Sequence, residues 1–206
     1  MAVHPFTHME GHIYCAIDTE TTGTVPGFHD VIQVAFIPLD NWIKPSKEHI
    51  PFLMDLAPKR KENVDDEAMR INRMKFCEIV VNGVEPYRAA DLFVEWFYRL
   101  NLDYNKRITP VGANYAFDRD FLIDWLGRET YNMCFNSDCR DVISIAKFRN
   151  DHDSYLGRHH TYENVSLRKL CIHFKVERHN AHDATDDARC TADVYRHLVE
   201  DFQVGA

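Results

Sequence analysis

The sequence predicts an α/β fold, a sheet whose middle strand is covered by helices on both faces. Three observations predict it. His12-Ile13-Tyr14-Cys15-Ala16-Ile17 is apolar at odd and even positions alike, as in a strand buried on both faces. Val31–Leu39 and Ile50–Leu56 follow as a second and a third strand, and their short turns favour an antiparallel meander. Beyond them, amphipathic helical stretches flank a further short strand.

The elements follow in order. Residues 1–11 read as a loose arm. The first strand ends in Asp18-Thr19-Glu20, then turns at Thr21-Thr22-Gly23. Asp18 and Glu20 are two apart, so they project from one face of the strand. Two acids there repel each other unless a cation lies between them; a turn pointing into water is the plain alternative. Pro58-Lys59-Arg60-Lys61 reads as a small basic, solvated loop. Asp65 caps a short helix to Met74. Tyr87–Leu100 is a strong amphipathic helix, with Pro86 at its first position and Ala89, Ala90, Phe93, Trp96, Phe97 and Leu100 for the core. Arg107–Gly112 is a strand. A helix follows from Tyr115 to Leu126. Tyr131–Cys139 reads as a connection with a short strand, and Asp141–Phe148 as a helix. Arg149–Glu163, with His152, His159 and His160, reads as the most loop-like stretch. Ser166 caps a helix to Phe174, and the last helix runs from about His182 toward Phe202.

Two of these helices aim a carboxylate inward. At about 100° per residue, Val194 and Leu198 fall within about 20° to 30° of Asp187, with Cys190 and Tyr195 beside it. Asp186 falls on the opposite, solvated side with Arg189, Asp193 and Arg196. In the earlier helix Asp118 heads the stripe of Phe121, Leu122, Trp125 and Leu126, whereas Asp120 and Asp124 lie off it. A carboxylate aimed at a core is costly unless it is paired or holds a metal. The plain alternative for Asp118 is an acid favoured by the helix dipole. His182, five residues before Asp187, is poorly spaced to share its face, which places it on the loop just before the helix or at its first turn.

Composition narrows the function. The 206 residues are read as a single domain, 1–206. A net charge of −8 argues against a broad basic footprint on duplex DNA, although a metal cluster can supply local positive charge. No apolar leader and no stretch near the length of a membrane span is read, which gives the expectation of a cytoplasmic protein without a membrane partner. The six cysteines lack C-x-x-C spacing and are read as free buried thiols. A zinc site from the loop histidines with Cys134 and Cys139 fits no known finger spacing. Neither G-x-x-x-x-G-K nor G-x-S-x-G occurs.

Asp18, Glu20, Asp118, Asp187 and His182 thus sit at a strand end and at two helix starts, places that converge at one edge of an α/β sheet. Oxygen ligands select hard cations, Mg²⁺ or Mn²⁺. Two such ions about 4 Å apart suit in-line displacement at phosphorus. A histidine near its ordinary pKa can take the proton of the attacking water.

The ordered set Asp18-x-Glu20-Thr-Thr-Gly, Asn114-x-x-Phe117-Asp118 and His182-x-x-x-x-Asp187-Ala188 resembles the DEDDh exonucleases, the DnaQ-like or ribonuclease T-like branch of the RNase H-like superfamily. The resemblance covers residues 12–203. It implies a mixed five-stranded sheet, an antiparallel meander plus parallel strands, flanked by helices. It implies 3′-to-5′ hydrolysis of single-stranded DNA or RNA to nucleoside 5′-monophosphates. Asp18, Glu20, Asp118 and Asp187 would hold two Mg²⁺ or Mn²⁺ ions, with His182 as general base. Thr21, Thr22 and Gly23 would lie beside the terminal nucleotide, with Asn114 supporting the site and Phe117 at the substrate. Ala113 stands where many members carry a histidine. The alternatives are an exoribonuclease or oligoribonuclease, a proofreading subunit bound to a polymerase or another replication or repair protein, and a catalytically silent binding module. Phe117, Tyr155 and Tyr162 are candidates for base stacking as much as for the core.

Overall fold

The computed structural model describes residues 11–201, so all of the expected N-terminal arm except Gly11 lies outside the described residues, as does Phe202. Five strands form one sheet: β1 (Ile13–Thr21), β2 (Val31–Pro38), β3 (Phe52–Asp55), β4 (Ile108–Gly112) and β5 (Arg140–Asp141), in the order β3-β2-β1-β4-β5. β1 pairs antiparallel with β2, and β2 with β3. β4 runs parallel to both β1 and β5. This is the expected mixed sheet of a meander joined to parallel strands.

The central strand is covered on both faces. Ile13, Cys15 and Ile17 point into one layer, under α3 (Pro86–Arg99), α4 (Tyr115–Leu126) and α5 (Arg128–Cys134). Tyr14 and Ala16 point into the other, under α6 (Val142–Tyr155), α7 (Leu167–Phe174) and α8 (Ala184–Asp201). The first layer is rich in aromatics. Phe93 on α3 lies 4.9 Å from Phe36, 5.7 Å from Phe135 in a stacked pair, and 5.9 Å from Trp125, between ring centroids. Phe93→Ala would empty the middle of this cluster and is expected to cost about 3–5 kcal/mol, read from urea unfolding.

Several expectations are corrected. Asp65 does cap α1 (Asp66–Asn72), accepting from the Glu67 N–H, but a further helix, α2 (Phe76–Asn82), follows it and buries only Ile79. The stretch expected as a connection from Tyr131 begins instead within α5, which follows α4 directly through Gly127 at φ 78°. Tyr131 and Cys134, one turn apart, are its buried face. The expected loop from Arg149 is helical as far as Tyr155, because Asp153 turns inward and accepts from the N–H and hydroxyl of Thr161. Ser166 stands at the start of α7 without a side-chain capping bond. The basic loop is tied down rather than free: Arg60 pairs with Asp30 at 2.7 Å and with Asp124 on α4 at 3.0 Å. Cys77 and Cys139 are exposed; the other four thiols are buried. Tyr162 is core, whereas Tyr155 is exposed.

Candidate active site

β1 outruns its neighbour. Its pairing with β4 ends at Ala16, while that with β2 continues to Thr21 with an irregularity after Glu20. Where β4 stops, α4 supplies the missing partner. The Thr19 N–H donates to Asp118 Oδ1 at 3.0 Å, and the Thr19 hydroxyl to the same oxygen at 2.8 Å. Asp118 is thereby buried in the first turn of α4, at the head of Phe121, Leu122, Trp125 and Leu126. Asp141, at the end of β5, accepts from the Tyr115 N–H at 2.7 Å and from the Ser144 N–H at 2.8 Å, joining the starts of α4 and α6.

Asp18 and Glu20 share the face of β1 that looks toward α8, the face of Tyr14 and Ala16. Asp187 comes down on it from the first turn of α8 and is buried. His182 lies on the loop before the helix, at φ 64°, and its N–H donates to Asp187 Oδ2 at 3.3 Å. Glu20, His182 and Asp187 offer donor atoms that all lie within 4.8 Å of one another. The start of α8 is fixed by Gln33 on β2, opposite Glu20 in the ladder. The Gln33 carbonyl accepts from the Ala184 N–H at 2.7 Å, and its amide donates to Asp55 of β3 at 2.9 Å.

Burial shifts three of the acids, Asp18, Glu20 and Asp118, upward. Burial, then repulsion from Asp118, Glu20 and Asp187, pushes Asp18 well above the ordinary carboxylate range, with Arg178 opposing. Burial, then Asp187, Asp118 and Asp183, takes Glu20 to about 8. Burial takes Asp118 to about 7, against the pull of the Thr19 hydrogen bonds. Burial and the positive charge of Arg178 hold His182 below its ordinary value, with Asp187 opposing and Arg73 adding to the depression.

The expected substrate residues fall in two groups. The Thr21 hydroxyl donates to the Gly23 carbonyl at 2.6 Å. The Thr22 hydroxyl donates to the Asn63 carbonyl and accepts from the Asp30 N–H. Thr21 is thus engaged within the turn and Thr22 ties the turn to the loop at Asn63; Gly23 is required because a Cβ there would stand 2.3 Å from the His29 ring. Asn114 is exposed in the left-handed conformation just before α4, and Phe117 is half-buried against Phe121, 4.9 Å away.

Asp186 departs from expectation. The wheel sends it to solvent, but the segment before α8 folds over it. The Asn180 N–H donates to it at 2.8 Å and Arg189 pairs with it, so it is buried. Sequence reasoning also missed Arg178, Gln33, Thr19 and Asn72, whose amide holds the Thr21 carbonyl at 2.9 Å. Gln33 alone left a signal, as the one amide in an otherwise apolar strand. The loop histidines and Cys134 or Cys139 form no metal-ligand cluster among the described residues.

Residues 15–195 match the RNase_T family, described as exonuclease. The chain belongs to that exonuclease family. It is 23% identical over 185 residues to the 3′-5′ DNA exonuclease Cap18 of Escherichia coli, covering 89% of this chain and 90% of that one. Its fold, RNase H-like, is that of the zinc-bound E. coli exonuclease I–ssDNA complex (TM-score 0.72, 20% identity, 94% of this chain). The match spans 41% of the exonuclease I chain, less than half its length. The Mg²⁺- and Mn²⁺-bound form of S. pombe Pop2p shares it too, with TM-score 0.67, 14% identity and coverage of 96% of this chain and 87% of that one. No described helix is long and apolar enough to cross a membrane.

Proposed function

We propose that this member of the exonuclease family is a DEDDh-type enzyme that shortens single-stranded DNA from its 3′ end, releasing nucleoside 5′-monophosphates. The observation that carries the reading is the meeting of Glu20, His182 and Asp187 within 4.8 Å beside two more buried or partly buried acids, Asp18 and Asp118. Carboxylates gathered so that Asp18, Glu20, Asp118 and Asp187 repel one another are stable as anions only around cations. The all-oxygen carboxylate set fits Mg²⁺ or Mn²⁺, with Asp18, Glu20, Asp118 and Asp187 as the holders. Two bound ions would supply an activated water and offset the charge gathering on the phosphate.

The chain's own residues divide the rest. His182, depressed from its usual value, is neutral at pH 7 to 8 and accepts the proton of the attacking water. Its own N–H on Asp187 fixes the loop that carries it. As water attacks phosphorus the bond to the 3′-oxygen breaks, and the terminal nucleotide leaves with the phosphate. The Thr21–Gly23 turn frames that nucleotide with its backbone, since its hydroxyls are engaged internally. Cap18 is a DNA exonuclease by name and exonuclease I was solved with ssDNA; both favour DNA over RNA here.

The test is a gel assay with 5′-labelled single-stranded DNA and RNA of one sequence. A ladder shrinking from the 3′ end with Mg²⁺ or Mn²⁺, faster on DNA and lost in EDTA, is expected. Faster RNA cleavage would move the substrate to RNA, and intact substrate under every metal would remove the catalytic reading.

A second expectation needs no substrate. Glu20 and Asp118 keep protons in the folded chain that the unfolded chain loses above about pH 4 to 5. The folded state therefore binds more protons between there and pH 8, and stability falls as pH rises through that window. In EDTA the melting temperature should be highest near pH 5 and decline toward pH 8, and Mn²⁺ should restore it at pH 8. A melting temperature flat with pH and indifferent to Mn²⁺ would contradict the ion-holding role.

A further inference from the structure

Arg178 lies in the irregular segment between α7 and α8. Its guanidinium forks across Asp187: Nε donates to Oδ1 at 2.6 Å and a terminal nitrogen donates to Oδ2. The two side chains are only 14% and 7% exposed, so little water competes with them. A forked guanidinium–carboxylate pair is among the strong forms of hydrogen bond. It also uses one edge of the carboxylate completely, because each oxygen turns one lone pair to the fork. Oδ2 already accepts a second donor, the His182 N–H. The lone pairs of Asp187 left for a divalent ion are therefore few.

The placement of the arginine is specific to this carboxylate. Arg178 opposes the upward shifts of Asp18 and Glu20 and adds to the depression of His182, so its charge reaches those three groups, yet among the described residues its side chain hydrogen-bonds to Asp187. Arg189 is engaged with Asp186 and Asp193, and Arg73 reaches His182 through its charge.

We propose that Arg178 is a positioning residue that competes with the divalent ion for the carboxylate of Asp187 and so sets the ion affinity of the site. The proposal rests on the ion-holding role given above to Asp187. It runs against the simpler role of a clamp that merely aims Asp187 at the ion. The two differ in sign. A clamp, when removed, loosens ion binding; a competitor, when removed, tightens it.

The experiment is a Mn²⁺ titration without nucleic acid, following free Mn²⁺ by electron paramagnetic resonance, on the full chain and on Arg178→Met and Arg178→Lys. Losing a charge-assisted fork should tighten Mn²⁺ binding by about 10- to 100-fold in Arg178→Met. Arg178→Lys keeps the charge without the fork and should tighten it by a smaller factor. Should Arg178→Met fail to fold, Arg178→Lys decides alone: tighter binding supports the competition, and equal or weaker binding overturns it. Equal Mn²⁺ affinity in all three proteins overturns the role of Arg178 and leaves the site standing. No Mn²⁺ binding by any of them overturns the ion-holding role of Asp187 and the proposal with it.

Discussion

Asp18→Ala lowers 3′-end cleavage by about 10³-fold or more, and in EDTA it melts at a higher temperature than the parent chain. The loss follows from removing a central acid of the cluster, the one whose proton affinity is raised by burial first and then by Asp118, Glu20 and Asp187 together. The gain in stability has the same origin. A charge desolvated and set among like charges weakens the folded state, and deleting it relieves the neighbours that remain. Mn²⁺ should then raise the melting temperature of Asp18→Ala far less than that of the parent. Activity is read by single-turnover cleavage of labelled single strands, stability by calorimetry in EDTA and in Mn²⁺. A variant that loses activity and also melts lower in EDTA would show that Asp18 supports the fold, and one with full activity would take Asp18 out of the site.

His182→Ala is the second large effect, expected at about 10² to 10⁴ in rate with little change in Mn²⁺ affinity. Its signature is in the pH profile. With His182 in its proposed role, depressed below its usual value by burial and by Arg178, the parent's rate should climb on the acid side and level before neutrality. Without the imidazole that acid limb should vanish, leaving a slow rate set by hydroxide, rising with pH. An unchanged acid limb in His182→Ala would assign the limb to another group and deny His182 the proton.

Much of this was legible in the sequence because burial follows periodicity. The helical wheel singled out Asp118 from Asp120 and Asp124, and the structure buries it above Phe121 and Trp125. It likewise turned Asp187 inward. The same wheel sent Asp186 to solvent and failed, since a wheel describes one helix and knows nothing of the chain that folds back over it; Asn180 and Arg189 supply that cover. The meander and the long helices were readable from their patterns, whereas α2 and α5, of two turns each, offer too few buried positions for a period to show. Arg178 was beyond reach for another reason. Its partner is fixed by the path of an irregular segment, and no spacing encodes that path.

Gln33, the ladder partner of Glu20, also links the outermost strand to the start of α8. One amide ties the opening residue of α8 to β2 and, through Asp55, to the outermost strand. The sheet's edge therefore acts as the anchorage of a cable whose other end carries Asp187. A fused domain, a crosslink or a neighbouring chain added at that edge as a sixth strand is expected to shift the start of α8, and with it Asp187, the ion holder of the proposed function, without touching it.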